Sequence, residues 1–126
     1  MSRDVVRAFP GEDIGEARDR LLARHLRAMP VVDADQRVVG VVGHAQLSAG
    51  GGRCVGDVMI EAPYCAAPET PIDALLPALS GGDAHEAFIV ESTGRLAGMI
   101  TQTDLLAALW RGHVAERVAL AAAAAA

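Results

Sequence analysis

The chain has 126 residues, enough for one compact domain, and carries a net charge of −5 with a sequence pI near 5.2. That acidity argues against nucleic acid as a partner, although local arginines and helix N-termini can still hold a small anion. Hydrophobic residues make up 52% and charged residues 21%. No apolar run reaches the roughly 18 residues that a membrane span needs, and the start MSRDVVRAFP lacks the apolar centre of a secretion signal. A cytoplasmic protein without membrane or nucleic-acid partners is expected.

In chain order, the first helix is predicted over Asp13–Arg27, with Glu12, Asp13 and Glu16 favouring its positive end. Strands follow at Val31–Val32 and Val38–Val42 around the turn Ala34-Asp35-Gln36, and a short helix begins near His44. Ala49-Gly50-Gly51-Gly52 forms a flexible joint. Val55-Gly56-Asp57-Val58-Met59 then reads as a single helical turn.

A strand at Tyr64–Ala66 leads to Thr70, which can cap a helix with Pro71 in its first position and Asp73 completing a capping box. Ile72, Leu75, Leu76 and Leu79 give that helix an apolar face, and Pro77 kinks or ends it before Ser80-Gly81-Gly82-Asp83. Ala87–Glu91 and Arg95–Ile100 form a hairpin around Ser92-Thr93-Gly94, and Thr101–Arg111 is the last helix. The tail, including six terminal alanines, can be helical on propensity.

The second half repeats the first. A shift of 58 positions, with no gap, lays Ala8 on Ala66, Pro10 on Pro68, Ile14 on Ile72, Leu21 on Leu79, Val32 on Val90, Arg37 on Arg95, Gly40 on Gly98 and Leu47 on Leu105. Each half of about 50 residues buries little surface alone, so the copies are expected to share one core. The boundaries are 1–50 for the first repeat, 51–60 for a linker, 61–111 for the second repeat and 112–126 for the tail. The fold class is α/β, two βαββα units about a pseudo-two-fold axis.

The copies differ where a strand runs into the last helix. Copy two reads Ile100-Thr101-Gln102-Thr103-Asp104, where copy one reads Val42-Gly43-His44-Ala45-Gln46. Free N–H groups at a helix start attract phosphate, a Thr hydroxyl can serve a phosphate oxygen, and an ionised Asp can accept two hydrogen bonds from a ribose diol. Thr101 and Asp104 also have the spacing of an ordinary capping box, and both readings stand.

No catalytic or metal set emerges. His25, His44, His85 and His113 lack metal-ligand spacing, Cys54 and Cys65 lack paired spacing, and no nucleophile elbow or phosphate loop is present.

The phrases Met29-Pro30-Val31-Val32-Asp33 and Gly98-Met99-Ile100-Thr101-Gln102-Thr103-Asp104-Leu105 resemble a tandem pair of cystathionine β-synthase (CBS) domains, a Bateman module, through about residue 111. The resemblance implies an adenosine-containing ligand (AMP, ADP, ATP or S-adenosylmethionine) in a cleft between the repeats, with no required cofactor. It places the ribose on Asp104, the phosphates on Thr101 and the base against Cys65, Ala66, Ala87, Phe88 and Ile89; Thr103 adds a second hydroxyl at the junction as a further ligand-binding candidate. Phe88 stands where copy one has Pro30, and either stacks on the base or fills core. Arg7, Arg24, Arg27 and Arg53 are candidates to offset phosphate charge. Copy one departs from the pattern at Gly43 and Gln46, so one competent site, or none, is expected rather than two equal ones.

The resemblance further implies a regulatory, non-enzymatic module, a homodimer of CBS pairs with Leu105, Leu106, Leu109 and Trp110 as a candidate face, and a separate effector protein. A structural or dimerisation module with a vestigial site is the alternative. The start at Met1 reads as that of a free-standing protein, with a fragment of a longer one as the other reading.

Overall fold

A computed structural model describes residues 5–48, 52–80 and 85–110. Residues 1–4, the joint at 49–51, the break at 81–84, the tail from 111 and the side chains of Ser80, Ala108, Leu109 and Trp110 lie outside the described residues, and with them the Leu109 and Trp110 part of the candidate dimer face. The chain divides into two units, Val6–Pro63 and the remainder, with Met1–Val5 grouped with Tyr64–Ala126.

In the Val6–Pro63 unit, α1 spans Ile14–Ala23, β1 Ala28–Val32, β2 Val38–Gly43, α2 His44–Ser48 and α3 Val55–Val58. Asp13 caps α1 by accepting from the Glu16 N–H at 3.1 Å. The helix stops four residues before the expected Arg27. His25 adopts φ 53°, its N–H donates to the Leu22 carbonyl, and the Leu26 N–H donates to the Leu21 carbonyl. These two bonds form a Schellman cap, and Leu26 packs on the same apolar cluster as Leu21. The sequence pattern missed this stop because histidine fills the place where glycine usually signals it. His25→Gly should therefore raise stability by about 0.5–1 kcal/mol, since glycine adopts positive φ without steric cost. Urea unfolding checks this, and a loss of stability would contradict it.

In the other unit, β3 is Cys65–Ala66, a 3₁₀ turn covers Ile72–Leu75, α4 is Leu76–Ser80, β4 Glu86–Val90, β5 Leu96–Thr101 and α5 Gln102–Trp110. The Thr70 cap is not formed. Pro71 holds the cap position without a side-chain bond, the Thr70 N–H donates to Ala67, and the Ala74 N–H donates to the Pro71 carbonyl. The 3₁₀ hydrogen-bonding pattern takes the first turn. Pro77 then falls in the first turn of α4, where its missing N–H costs nothing, so the helix restarts at Leu76 instead of kinking.

The 58-residue offset survives in three dimensions. The antiparallel register Ala28↔Gly43 through Val32↔Val38 recurs as Glu86↔Thr101 through Val90↔Leu96, including the bulge after Val31 and after Ile89. The parallel bridge Ala8↔Val31 recurs as Ala66↔Ile89. Both hairpin turns place a positive-φ residue at the same point, Gln36 at 65° and Gly94 at 89°.

Among the described residues each unit holds an apolar cluster of its own. Ala8, Ala17, Leu21, Met29, Val31, Val42, Leu47 and Val55 make one, and Ile72, Leu75, Leu79, Ala87, Ile89, Ile100 and Leu105 the other. Each sheet buries one face under its own helices.

The segment after the joint packs on the first repeat. The Val55 N–H donates to the Glu12 carbonyl at 2.9 Å and the Gly56 N–H to the Pro10 carbonyl at 2.8 Å, while Ile60 pairs with Val41 at the outer edge of β2. Gly56 permits this approach, because a Cβ there would stand 3.1 Å from the Pro10 carbonyl oxygen. Arg20 adds a stitch, donating to the Arg7 carbonyl and pairing with the Glu12 carboxylate, which holds its guanidinium pKa above the ordinary value.

Asp57 anchors α3. Its Oδ2 accepts from the N–H groups of Arg53 at 3.0 Å and Cys54 at 3.1 Å, and these bonds hold its carboxyl below the usual range. A depressed folded pKa contributes stability above the unfolded value, lost as pH falls through the folded one. The stability gap between wild type and Asp57→Ala should be full at pH 6 and close below about pH 4. Denaturant midpoints across that range test this, and a gap that persisted at low pH would contradict it.

Candidate functional site

The β5–α5 junction is built by a reciprocal pair. The Thr101 N–H donates to Asp104 Oδ2 at 3.0 Å, and the Asp104 N–H donates to Thr101 Oγ1 at 3.3 Å. The capping geometry is thus formed, and it fixes a hydroxyl and a carboxylate side by side at the start of a nine-residue helix. Both residues are half-buried, and Thr103 is exposed. Gln102, which the sequence reading did not single out, steadies the junction. Its Nε2 donates to the Leu79 carbonyl at 2.7 Å, and its N–H to the His85 carbonyl at 3.3 Å.

The residues expected to meet a base divide between two faces of the β3-β4-β5 sheet. Cys65 pairs with Phe88 and Ala66 with Ile89, and side chains alternate along each strand. Ala66, Ala87 and Ile89 lie on the face under the helices, with Ala87 and Ile89 fully buried in the core. Cys65, Phe88 and Thr101 lie on the opposite face, together with Glu86 and Met99. Phe88 is 1% exposed, so its ring fills interior space. Cys65 is exposed, yet neighbouring protein desolvates its thiol enough to push the pKa up, away from thiolate reactivity. Period-two alternation along β4 from Phe88 would have identified Glu86, whereas Met99 follows only from the hairpin pairing.

Copy one solves the same junction differently. Gln46 Oε1 accepts from the Gly43 N–H at 2.7 Å, the counterpart of the Asp104–Thr101 bond. Although copy one departs from the pattern at this place, the amide oxygen reproduces the carboxylate's hydrogen bond without its charge.

Among the arginines proposed to offset phosphate, Arg7 donates to Gln36 Oε1 at 2.8 Å, while Arg24, Arg27 and Arg53 are exposed. Leu106 on α5 is 65% exposed. Among the described residues, no His/Cys/Asp/Glu group could hold a metal, and no helix is long and apolar enough to cross a membrane.

The CBS domain family model matches residues 1–48 and 55–111. Curated relatives include inosine-5'-monophosphate dehydrogenase of Thermoplasma acidophilum, 31% identical over 82% of this chain and 21% of that protein. The A-adding tRNA nucleotidyltransferase of Geobacter sulfurreducens is 33% identical over 89% of this chain and 13% of its own length. The chain thus spans about a fifth or less of these relatives. Among solved structures, CBSX2 of Arabidopsis thaliana in complex with AMP superposes with a TM-score of 0.79 at 22% identity, covering 86% of this chain and 89% of the other. The CBS domain pair of protein MJ0100, in complex with 5'-methylthioadenosine and S-adenosyl-L-methionine, gives 0.75 at 20% identity, covering 89% and 92%. These likenesses establish the α/β fold of the repeats. With the family model matched in both halves, the chain belongs to the CBS domain family, as a tandem pair.

Proposed function

We propose that the chain is a regulatory module that binds an adenosine-containing ligand at the β5–α5 junction and has no catalysis of its own. The observation that carries this reading is the Thr101–Asp104 pair, a hydroxyl and a carboxylate held 3.0–3.3 Å from each other's backbone at a helix start, in one repeat only. The fold-level neighbours bound to AMP, 5'-methylthioadenosine or S-adenosyl-L-methionine support the ligand class. In this reading Asp104 meets the ribose diol, Thr101 and exposed Thr103 meet phosphate or its replacement, and the Cys65–Phe88 strand pair borders the base. The ligand regulates a separate partner only by binding one arrangement of the module more tightly than another.

A second reading, a structural module with a vestigial site, draws on the same pair, because capping alone accounts for both of these hydrogen bonds. Thermal unfolding with AMP, ADP, ATP, S-adenosylmethionine and NAD separates them. A binder at about 100 times its Kd adds about 2.7 kcal/mol. No response to any member would leave the structural reading. Where one binds, Asp104→Ala should weaken it by about 1–3 kcal/mol, and unchanged affinity would move the site elsewhere.

A further inference from the structure

We propose that Gln102 is a positioning residue that couples the Thr101–Asp104 junction to the end of α4, so that a ligand at the junction tightens that helix end. The inference rests on the proposed function for the ligand, and on its own geometry for the coupling. The final carbonyls of a helix lack partners within it, and Leu79 is the last residue but one of α4. Its carbonyl accepts from Gln102 Nε2 at 2.7 Å, across 23 positions of the chain. Leu21, its counterpart 58 positions earlier, has its carbonyl capped by the Leu26 backbone N–H. The first repeat thus closes this helix end with local backbone, whereas the second brings a side chain from the candidate ligand junction to the same place.

Gln102 is held at a second point as well. Its backbone N–H donates to the His85 carbonyl at 3.3 Å, at the approach to β4. It follows Thr101 directly, and the side chains of Thr101 and Asp104 accept from each other's N–H groups at 3.3 and 3.0 Å. Leu79, Ile100 and Leu105 are buried in one cluster, so the segments joined by the Gln102 bond stand on a packed core and have little room to move separately. His44 occupies the counterpart position, and its Nε2 lies 3.0 Å from the Leu26 carbonyl, in the loop beyond α1 and not at the helix end. By reciprocity, whatever the Gln102 bond adds to ligand affinity at the junction, the ligand adds to the closure at Leu79.

The test is amide hydrogen exchange of the full chain, free and with AMP or 5'-methylthioadenosine, alongside calorimetric affinities for both. Gln102→Met keeps the side chain's length and removes its donor. Gln102→Lys returns a donor, and 5'-methylthioadenosine has no phosphate for that lysine to attract. In the free chain, Gln102→Met should speed exchange at Thr101 and Asp104 about tenfold, and leave unchanged the Phe88 amide, which is bonded to the Tyr64 carbonyl in the same unit. It should weaken whichever ligand binds about tenfold, and Gln102→Lys should restore both properties. Bound ligand should slow exchange at Leu79 in the wild type but not in Gln102→Met. Junction amides unchanged in Gln102→Met, Phe88 speeding equally, unchanged ligand affinity, or a Leu79 amide indifferent to bound ligand would each overturn the proposal. A wild type that binds neither ligand, with junction amides still faster in Gln102→Met, would refute the ligand reading and leave the positioning role standing.

Discussion

Phe88→Ala is expected to cost about 3–5 kcal/mol of stability, a large share of the roughly 5–15 kcal/mol that holds a small protein folded. Among the described residues the ring is the largest fully buried side chain, at 1% exposure, on a central strand hydrogen-bonded on both sides. Truncation removes its transfer free energy and leaves a cavity that β4, held between β3 and β5, cannot close by shifting. Denaturant unfolding measures the loss, and a cost below about 1.5 kcal/mol would contradict the interior placement. Phe88→Leu separates packing from recognition. It nearly conserves volume and should cost less than about 1.5 kcal/mol, while removing the aromatic face. Ligand affinity unchanged in Phe88→Leu would confirm a packing role. A loss near tenfold, about 1.4 kcal/mol, would make Phe88 the base's stacking partner.

Leu21→Ala and Leu79→Ala, at positions related by the repeat, should each cost about 2–5 kcal/mol. Leu21 is 0% and Leu79 1% exposed, and they anchor different clusters. Each loss is a large part of the stability of a small domain. Equilibrium unfolding of the two variants decides this, and a cost below about 1.5 kcal/mol for either would contradict its place in a packed cluster.

Much of the fold was legible because it depends on local rules. Gly94 marked its turn and alternation marked the hairpins; the 58-residue offset recurs in the register, down to the bulges after Val31 and Ile89, but the register itself came from the structure. Element ends were less legible. His25 ends α1 through a backbone cap that no glycine announces, and Pro71 yields a 3₁₀ turn where Thr70 promised a capped helix. Both depend on hydrogen-bond choices among neighbouring carbonyls, which residue type biases weakly.

The candidate site divides the same way. Thr101 and Asp104 were legible from the mismatch between copies, and their spacing dictates that they bond. Gln46's part was not, because an amide and a carboxylate differ in charge but share an oxygen at the same reach. Nor could one strand's sequence tell which face receives Phe88 and which receives Ile89, since alternation gives two faces but not which one the helices cover.

By itself, then, the sequence determined the duplicated α/β plan, the hairpin turns and the unequal junctions, because periodicity, turn residues and a gapless repeat act over a few neighbouring residues. Only the tertiary structure decided that Phe88 is buried opposite Ala87 and Ile89, that Ile60 pairs with Val41, and that Gln46 bonds the Gly43 amide. These outcomes depend on hydrogen-bond choices and on which segments, distant in the chain, occupy the same space.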